Sequence, residues 1–231
     1  LFFSRSEEIV EHTFDCLCKN DTPDIVLISG DLTYNGERTS HDEMKAALKK
    51  LQQKGKRVYV ITATHDYTTP RMPTYGIDKN DKYIEVESVN RTQLLKYYGD
   101  FGYNNAIAKH KSTMSYVAQL ADGYRLFALN DDYGDPDCGF SDELMNWVKT
   151  EANNAKRDGQ YIIAMTHHPL VPPSPIYAAV AKGDMLNEYE LRRNQLSDLG
   201  FDFVLTGHTH MHNISYCKIG NKKFYDISTA A

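Results

Sequence analysis

Four short apolar runs in this chain each stop at an aspartate or a histidine. Ile25-Val26-Leu27-Ile28-Ser29 leads into Gly30-Asp31, and Val58-Tyr59-Val60-Ile61-Thr62 leads within three residues to His65-Asp66. Tyr161-Ile162-Ile163-Ala164-Met165-Thr166 leads into His167-His168-Pro169, and the run 201–206 into Gly207-His208-Thr209-His210. Short, nearly continuous apolar runs are the pattern of strands buried on both faces, as in a parallel sheet covered by helices. In such sheets ligands bind at the carboxyl ends of the strands. Aspartate and histidine at those ends are donors for borderline divalent metals such as Zn, Mn and Fe. A glycine before His208 allows the tight turn that brings two imidazoles, two residues apart, toward metal ions.

The segments between the runs read as helices. A helix over 4–20 has Ser4 or Ser6 to cap it, Glu7 and Glu8 in its first turn, and an apolar stripe of Ile9, Val10, Phe14 and Leu17. Ser40-His41-Asp42-Glu43 is a capping box opening a second helix, with Met44, Ala47, Leu48 and Leu51 inward and Gly55 at its end. That β-α-β order implies parallel strands. The rhythm breaks over 67–113, a polar and aromatic insert expected near the active site, with a short helix over 92–98. Further on, 115–120 and 124–129 flank a hairpin turn at Ala121-Asp122-Gly123. Ser141 caps a helix to about Asn153, and a strand follows over 161–166. A helix over 187–199 ends at Gly200, a strand covers 203–206, and 214–219 and 224–228 form a hairpin around Gly220-Asn221. The whole, residues 1–231, reads as one α/β domain: a two-sheet mixed β sandwich flanked by helices.

Composition excludes some classes. With 41% apolar and 25% charged residues, the chain has a globular make-up. A net charge of −5 argues against a partner that tracks a nucleic-acid duplex by its backbone. It leaves a small phosphate ester open as substrate, because bound cations would dominate the local field. No apolar run approaches the ~20 residues of a membrane helix. The four cysteines, Cys16, Cys18, Cys138 and Cys217, lack zinc-site spacing and read as free thiols.

Taken in order, the motifs resemble those of the calcineurin-like metallophosphoesterases: D-x-H, G-D, G-N-H-[DE], H-x-P and G-H-x-H. Gly30-Asp31, His65-Asp66, His167-His168-Pro169 and Gly207-His208-Thr209-His210 match the last four. More narrowly, the chain looks like the bacterial branch that includes cyclic-nucleotide phosphodiesterases. The resemblance implies a four-layer α/β/β/α fold and a pair of divalent metals (Mn, Fe or Zn) acting on a phosphate ester through a metal-bridging hydroxide. By the same analogy Asp31 bridges the metals. His167 and His208 join it on the second metal and His210 on the first. His65 protonates the leaving group and is oriented by Asp66. His168 is then a neighbour facing substrate or core.

Two departures stand out. No D-x-H precedes Gly30-Asp31: the sequence opens at Leu1 and its only earlier histidine is His12. The expectation is a domain truncated at its N-terminus that holds one metal or none. Thr64 also stands where the family has its asparagine ligand. Its hydroxyl is about 1.5 Å shorter in reach, so Thr64 is expected to bind weakly or through water. These departures leave a non-catalytic descendant as the alternative; a protease or structural zinc domain lacks H-E-x-x-H and paired cysteines.

The other polar residues carry weaker expectations. Asn130, Asp131 and Asp132 follow a strand and are candidates for the substrate rim. His12, His41 and His110 sit in polar segments and read as surface residues. Of the 16 tyrosines, Tyr67, Tyr75, Tyr97, Tyr98 and Tyr103 lie in or beside the insert. Some of them could stack on a nucleobase; most are expected to pack.

Overall fold

A computed structural model of the chain describes residues 6–19, 23–70, 73–77, 80, 82–133 and 137–229. Helix α1 (Ser6–Leu17) is followed by β1 (Ile25–Ser29), α2 (Arg38–Gln53) and β2 (Arg57–Ile61). The insert carries β3 (Tyr75–Ile77), β4 (Tyr83–Glu85), α3 (Leu94–Tyr98) and β5 (Ala108–His110). Then come β6 (Ser115–Ala121), β7 (Tyr124–Ala128), α4 (Asp142–Arg157) and β8 (Tyr161–Met165). The chain closes with α5 (Pro175–Val180), α6 (Tyr189–Leu199), β9 (Phe203–Thr206), β10 (Asn213–Ile219) and β11 (Lys222–Ser228).

Strands β1 and β2 pair in parallel, with Ile25 opposite Arg57 and Ser29 opposite Ile61. A separate seven-stranded sheet runs β10-β11-β9-β8-β7-β6-β5. Its centre, β7, β8, β9 and β11, is parallel, and β10, β6 and β5 join antiparallel. Side chains alternate along each strand and so sort themselves into three cores. Ile25, Leu27, Tyr59 and Ile61 meet Tyr116, Ala118, Leu126, Ala128 and Met165 in the middle of the sandwich. Val26, Ile28, Val58 and Val60 point the other way, onto Phe14 and Leu17 of α1, Leu48 and Leu51 of α2, and the insert's Leu94 and Tyr98. Phe127, Ala164 and Val204 face Leu144, Val148 and Ala152 of α4 and Leu196 of α6. The layers are therefore helix, sheet, sheet, helix.

Several expectations need correction. Helix α1 buries Phe14 and Leu17, while Ile9 and Val10 are exposed; Ser4 and Asn20 lie outside the described residues. Helix α2 begins at Arg38, before the Ser40 capping box. The Glu37 carboxylate accepts from the backbone N–H groups of Tyr34 and Asn35, and Glu37 bridges to Ser88. Those contacts fix the helix start three residues earlier than local chemistry suggests, with Glu37 rather than Ser40 at the N-cap. The insert is less irregular than expected: β3 and β4 form a hairpin, and Val89, Leu94, Tyr97, Tyr98 and Phe101 belong to the helix-side core. Ser141 caps α4 as expected, accepting from Leu144 N–H through its hydroxyl. Among the described residues no helix is long and apolar enough to cross a membrane.

Candidate metal centre

The loops at the carboxyl ends of β1, β2, β8 and β9 meet at one edge of the sandwich. Their approach depends on two glycines. A side chain on Gly30 (φ +95°) would put its Cβ 2.6 Å from Ala63 Cβ and 3.1 Å from His167 Nδ1. A Cβ on Gly207 would lie 2.8 Å from Ser29 Oγ. Just past these glycines, Asp31 (φ 55°), His208 (φ 63°) and His210 (φ 53°) all adopt left-handed backbone. That region is costly for residues other than glycine and concentrates at functional sites. Half of the six described non-glycine residues with positive φ are therefore residues the motifs had singled out.

His167 is the hub. Its Nδ1 donates to the Ser29 carbonyl at 2.8 Å, which turns Nε2 toward the cleft. Asp31 Oδ2 lies 3.2 Å from that Nε2, and His208 Nδ1 lies 3.3 Å from it. Asp31 and His208 thus each approach the same His167 nitrogen, and carboxylate and imidazole are donors a divalent cation takes. Burial opposes ionisation of Asp31, yet its bond to His167 prevails and holds the carboxyl below its usual range. Burial likewise disfavours a charged His167, but Asp31 outweighs it and raises the ring. His208 is pushed down to about 4 by burial and by the neighbouring His168 and His167.

His168 stands closer to this group than expected. One ring nitrogen each from His167, His168 and His208 lies within 4.8 Å of the other two. The His168 and His208 rings are 4.2 Å apart at their centroids. His168 Nδ1 is 3.2 Å from Asp131 Oδ1, an ion pair without the alignment of a hydrogen bond. Burial works against a charge on His168, but Asp131 overrides it and carries the ring up to about 10. His210 is exposed and stands outside this group of three.

His65 and Asp66 occupy a short 3-10 turn, Thr64–Asp66, after β2. The backbone N–H of His65 donates to Asp31 Oδ1 at 3.2 Å. The expected orientation of His65 by Asp66 is corrected here. His65 Nδ1 donates to the Tyr34 carbonyl at 2.5 Å, and the Tyr34 ring stacks on His65 at 6.0 Å. The Asp66 carboxylate, fully buried, instead accepts four backbone N–H groups. Those of Leu32 and Thr33 reach Oδ1 at 2.6 and 3.1 Å, and those of Asp31 and Ala63 reach Oδ2 at 3.0 and 2.8 Å. It ties the Asp31 loop to the His65 turn. Thr64, the first residue of that turn, is half-buried.

The rim candidates are corrected too. Asn130 is buried: its amide oxygen accepts from Thr62 N–H and its amide N–H donates to the Thr113 carbonyl, stitching the two sheets. Asp131 Oδ2 accepts from Thr166 Oγ1 and from the backbone N–H groups of His167 and His168. Asp132 is buried with no hydrogen-bond partner on either oxygen, and burial together with Asp131 raises its pKa well above the usual range. All three shape the site from behind. His41 and His110, expected on the surface, are also buried. His41 Nδ1 meets Tyr98 Oη at 2.6 Å, and His110 Nδ1 meets Thr113 Oγ1 at 2.9 Å. Their sequence neighbours are polar, but their partners come from elsewhere or from the next turn, a signal that local composition hides. The four cysteines are free.

The sequence pattern of the calcineurin-like phosphoesterase family matches residues 3–212. A dimetal phosphatase from Danio rerio shares the fold: TM-score 0.66, 11% identity, 98% of this chain and 78% of that one covered. A phosphopantetheinyl hydrolase from Mycobacterium tuberculosis aligns over 94% of this chain and 83% of its own, at 12% identity and a TM-score of 0.46. No curated protein sequence matches this chain.

Proposed function

This chain belongs to the calcineurin-like phosphoesterase family, and on that premise we propose that it hydrolyses a phosphodiester, such as a cyclic nucleotide, with the help of divalent metal. The observation that carries the reading is the hub at His167. Its Nδ1 is held by the Ser29 carbonyl while Asp31 and His208 crowd its Nε2. A metal-binding histidine needs its far nitrogen fixed in this way, because that bond sets the tautomer. Asp31, His167 and His208 would hold one ion; Asp31 and His210 would contribute to a second. Mn, Fe or Zn suits the donors. Such ions, when bound, neutralise phosphoryl oxygens and make water a nucleophile at neutral pH.

The chain's own residues do the rest. His65, with Nδ1 committed to Tyr34, keeps Nε2 as the nitrogen that protonates the leaving oxygen. Asp66 positions both that turn and the Asp31 loop through its four N–H bonds. Tyr34 is 67% exposed beside His65, an aromatic face for a nucleobase. That face, with the motif resemblance, favours a nucleotide diester over a simple monoester.

The test is turnover of bis(p-nitrophenyl) phosphate, a cyclic nucleotide and p-nitrophenyl phosphate with added Mn or Zn. Faster turnover of either diester is expected. A monoester preference would make the protein a phosphatase. No turnover despite bound metal would favour the non-catalytic reading, which rests on Thr64 and on His210 standing apart from the cluster.

A further inference from the structure

We propose that His168 is a ligand of the metal held by Asp31, His167 and His208, occupying the coordination position that Thr64 is too short to fill. The inference rests on the reading above and deepens it, since it names the donor set of that same site.

The spacing is the first support. Nitrogen or oxygen donors at ~2.0–2.2 Å from one ion lie about 3–3.5 Å from one another, and a five-coordinate ion holding four protein donors keeps one open position for water. The three imidazole nitrogens, none more than 4.8 Å from another, need only a small closure to reach that arrangement. Asp31 Oδ2 already lies 3.2 Å from His167 Nε2.

The second support is what stands behind each ring. His167 has its far nitrogen on the Ser29 carbonyl. His168 has its Nδ1 facing the Asp131 carboxylate at 3.2 Å. A carboxylate or carbonyl behind an imidazole is the arrangement that prepares a histidine for a metal. A purely structural ion pair explains His168 less well. Asp131 already accepts three donors through Oδ2 alone, so it keeps the loop in place without the imidazole. The misaligned Oδ1–Nδ1 contact leaves both atoms without a hydrogen bond. A shift of the ring toward a cation would cost little there.

The third support is the position at 64. An asparagine amide reaches about 1.5 Å farther than a threonine hydroxyl. Thr64 opens the turn after β2 whose His65 N–H meets Asp31 Oδ1, so reach lost there leaves a position for a donor from the β8 side.

The test uses the intact chain loaded with Co2+. Binding is followed by titration, by the visible absorption of the bound ion, and by counting exchangeable imidazole N–H protons shifted in the NMR spectrum. His168→Ala should weaken binding by about 100-fold or more, because removing even an outer partner of a ligand costs 10–100-fold. It should also delete one shifted N–H resonance. Thr64→Asn should tighten binding modestly in the unmodified chain and much more in the His168→Ala background. Circular dichroism confirms that each variant is folded, and the resonance count on the unmodified protein stands if a variant is not. Unchanged affinity and an unchanged resonance count in His168→Ala would overturn this inference alone. Absence of any Co2+ binding to the unmodified chain would overturn the metalloenzyme reading beneath it.

Discussion

His41 Nε2 donates to the backbone carbonyl of Asp66, 3.0 Å away, while its Nδ1 accepts from Tyr98 Oη. A histidine from the first turn of α2 thus buttresses the turn that carries His65. Both bonds use the neutral ring with its proton on Nε2. Burial lowers the His41 pKa below the usual 6.5, against the pull of the Asp66 carbonyl.

That depression sets a pH dependence. Below pH 6.5 the unfolded chain takes up a proton at His41 that the folded chain refuses. Stability present above pH 6.5 is therefore lost as pH falls toward the folded value, by up to about 1.4 kcal/mol per pH unit. Urea unfolding of the wild type and of His41→Gln between pH 5 and 8 should show a steeper acid-side loss in the wild type. Parallel profiles would mean that His41 titrates normally.

His65→Ala should cut turnover by roughly 10²–10⁴-fold, the worth of a positioned general acid, and leave metal content intact. Its ring touches Tyr34 and Asn35 rather than the His167 hub. Metal analysis beside steady-state rates separates the outcomes: metal lost together with activity would make His65 a ligand.

Asp66→Ala should be among the most damaging single changes. Four backbone N–H groups around a fully buried carboxylate would lose their acceptor. At about 1–3 kcal/mol for each buried group left unpaired, destabilisation should reach at least 3 kcal/mol. Metal affinity should fall as well, since the Asp31 loop is released. Thermal unfolding with and without metal measures both, and a change below 1 kcal/mol would show that water replaces the carboxylate.

Gly30→Ala should cost roughly 2–4 kcal/mol, from a left-handed backbone and an overpacked contact. The new methyl would press on Ala63 and His167, both within 3.1 Å of its position. Differential scanning of the variant should show a fall in Tm of about 5–15 °C. Gly220→Ala, also at positive φ but with open space around it, should show the smaller, purely conformational penalty.

How much of this was legible in the sequence depends on where each side chain finds its partner. The buried strands read well: β1 and β9 keep the bounds that their apolar runs give. Their partners are the whole sandwich, so hydrophobicity alone suffices. Helix starts read poorly where long-range contacts decide them, as the Glu37–Ser88 bridge does for α2. The short α5 is too brief for an apolar periodicity to announce it; Ser174 caps it and Pro175 opens its first turn. In the site, the convergence of Asp31, His167 and His208 follows from motif order and strand ends. The roles of Asp66, Asn130 and Asp131 as anchors do not, since a carboxylate that accepts backbone N–H groups has the same sequence signature as one that faces a substrate. His41 is hidden for a similar reason: its hydrogen-bond partners are 57 and 25 residues away.

The hub at His167 gathers contributions from both halves of the sandwich. Asp31 and the Ser29 carbonyl follow β1, in the two-stranded sheet, while His167 and His208 follow β8 and β9 in the seven-stranded one. The cluster is therefore a clasp across two layers that, among the described residues, share no strand pairing and are joined by side-chain hydrogen bonds such as Tyr116 Oη to the Val60 carbonyl and Tyr59 Oη to the Gln119 carbonyl. A slide of one sheet over the other would separate the carboxylate from the imidazoles before it disturbed either layer. By linkage the coupling runs both ways. Whatever shifts the sandwich, even a substitution among Tyr59, Ile61 and Tyr116 deep in its interior, changes the grip of the clasp, and an ion seated there stiffens the interior in return.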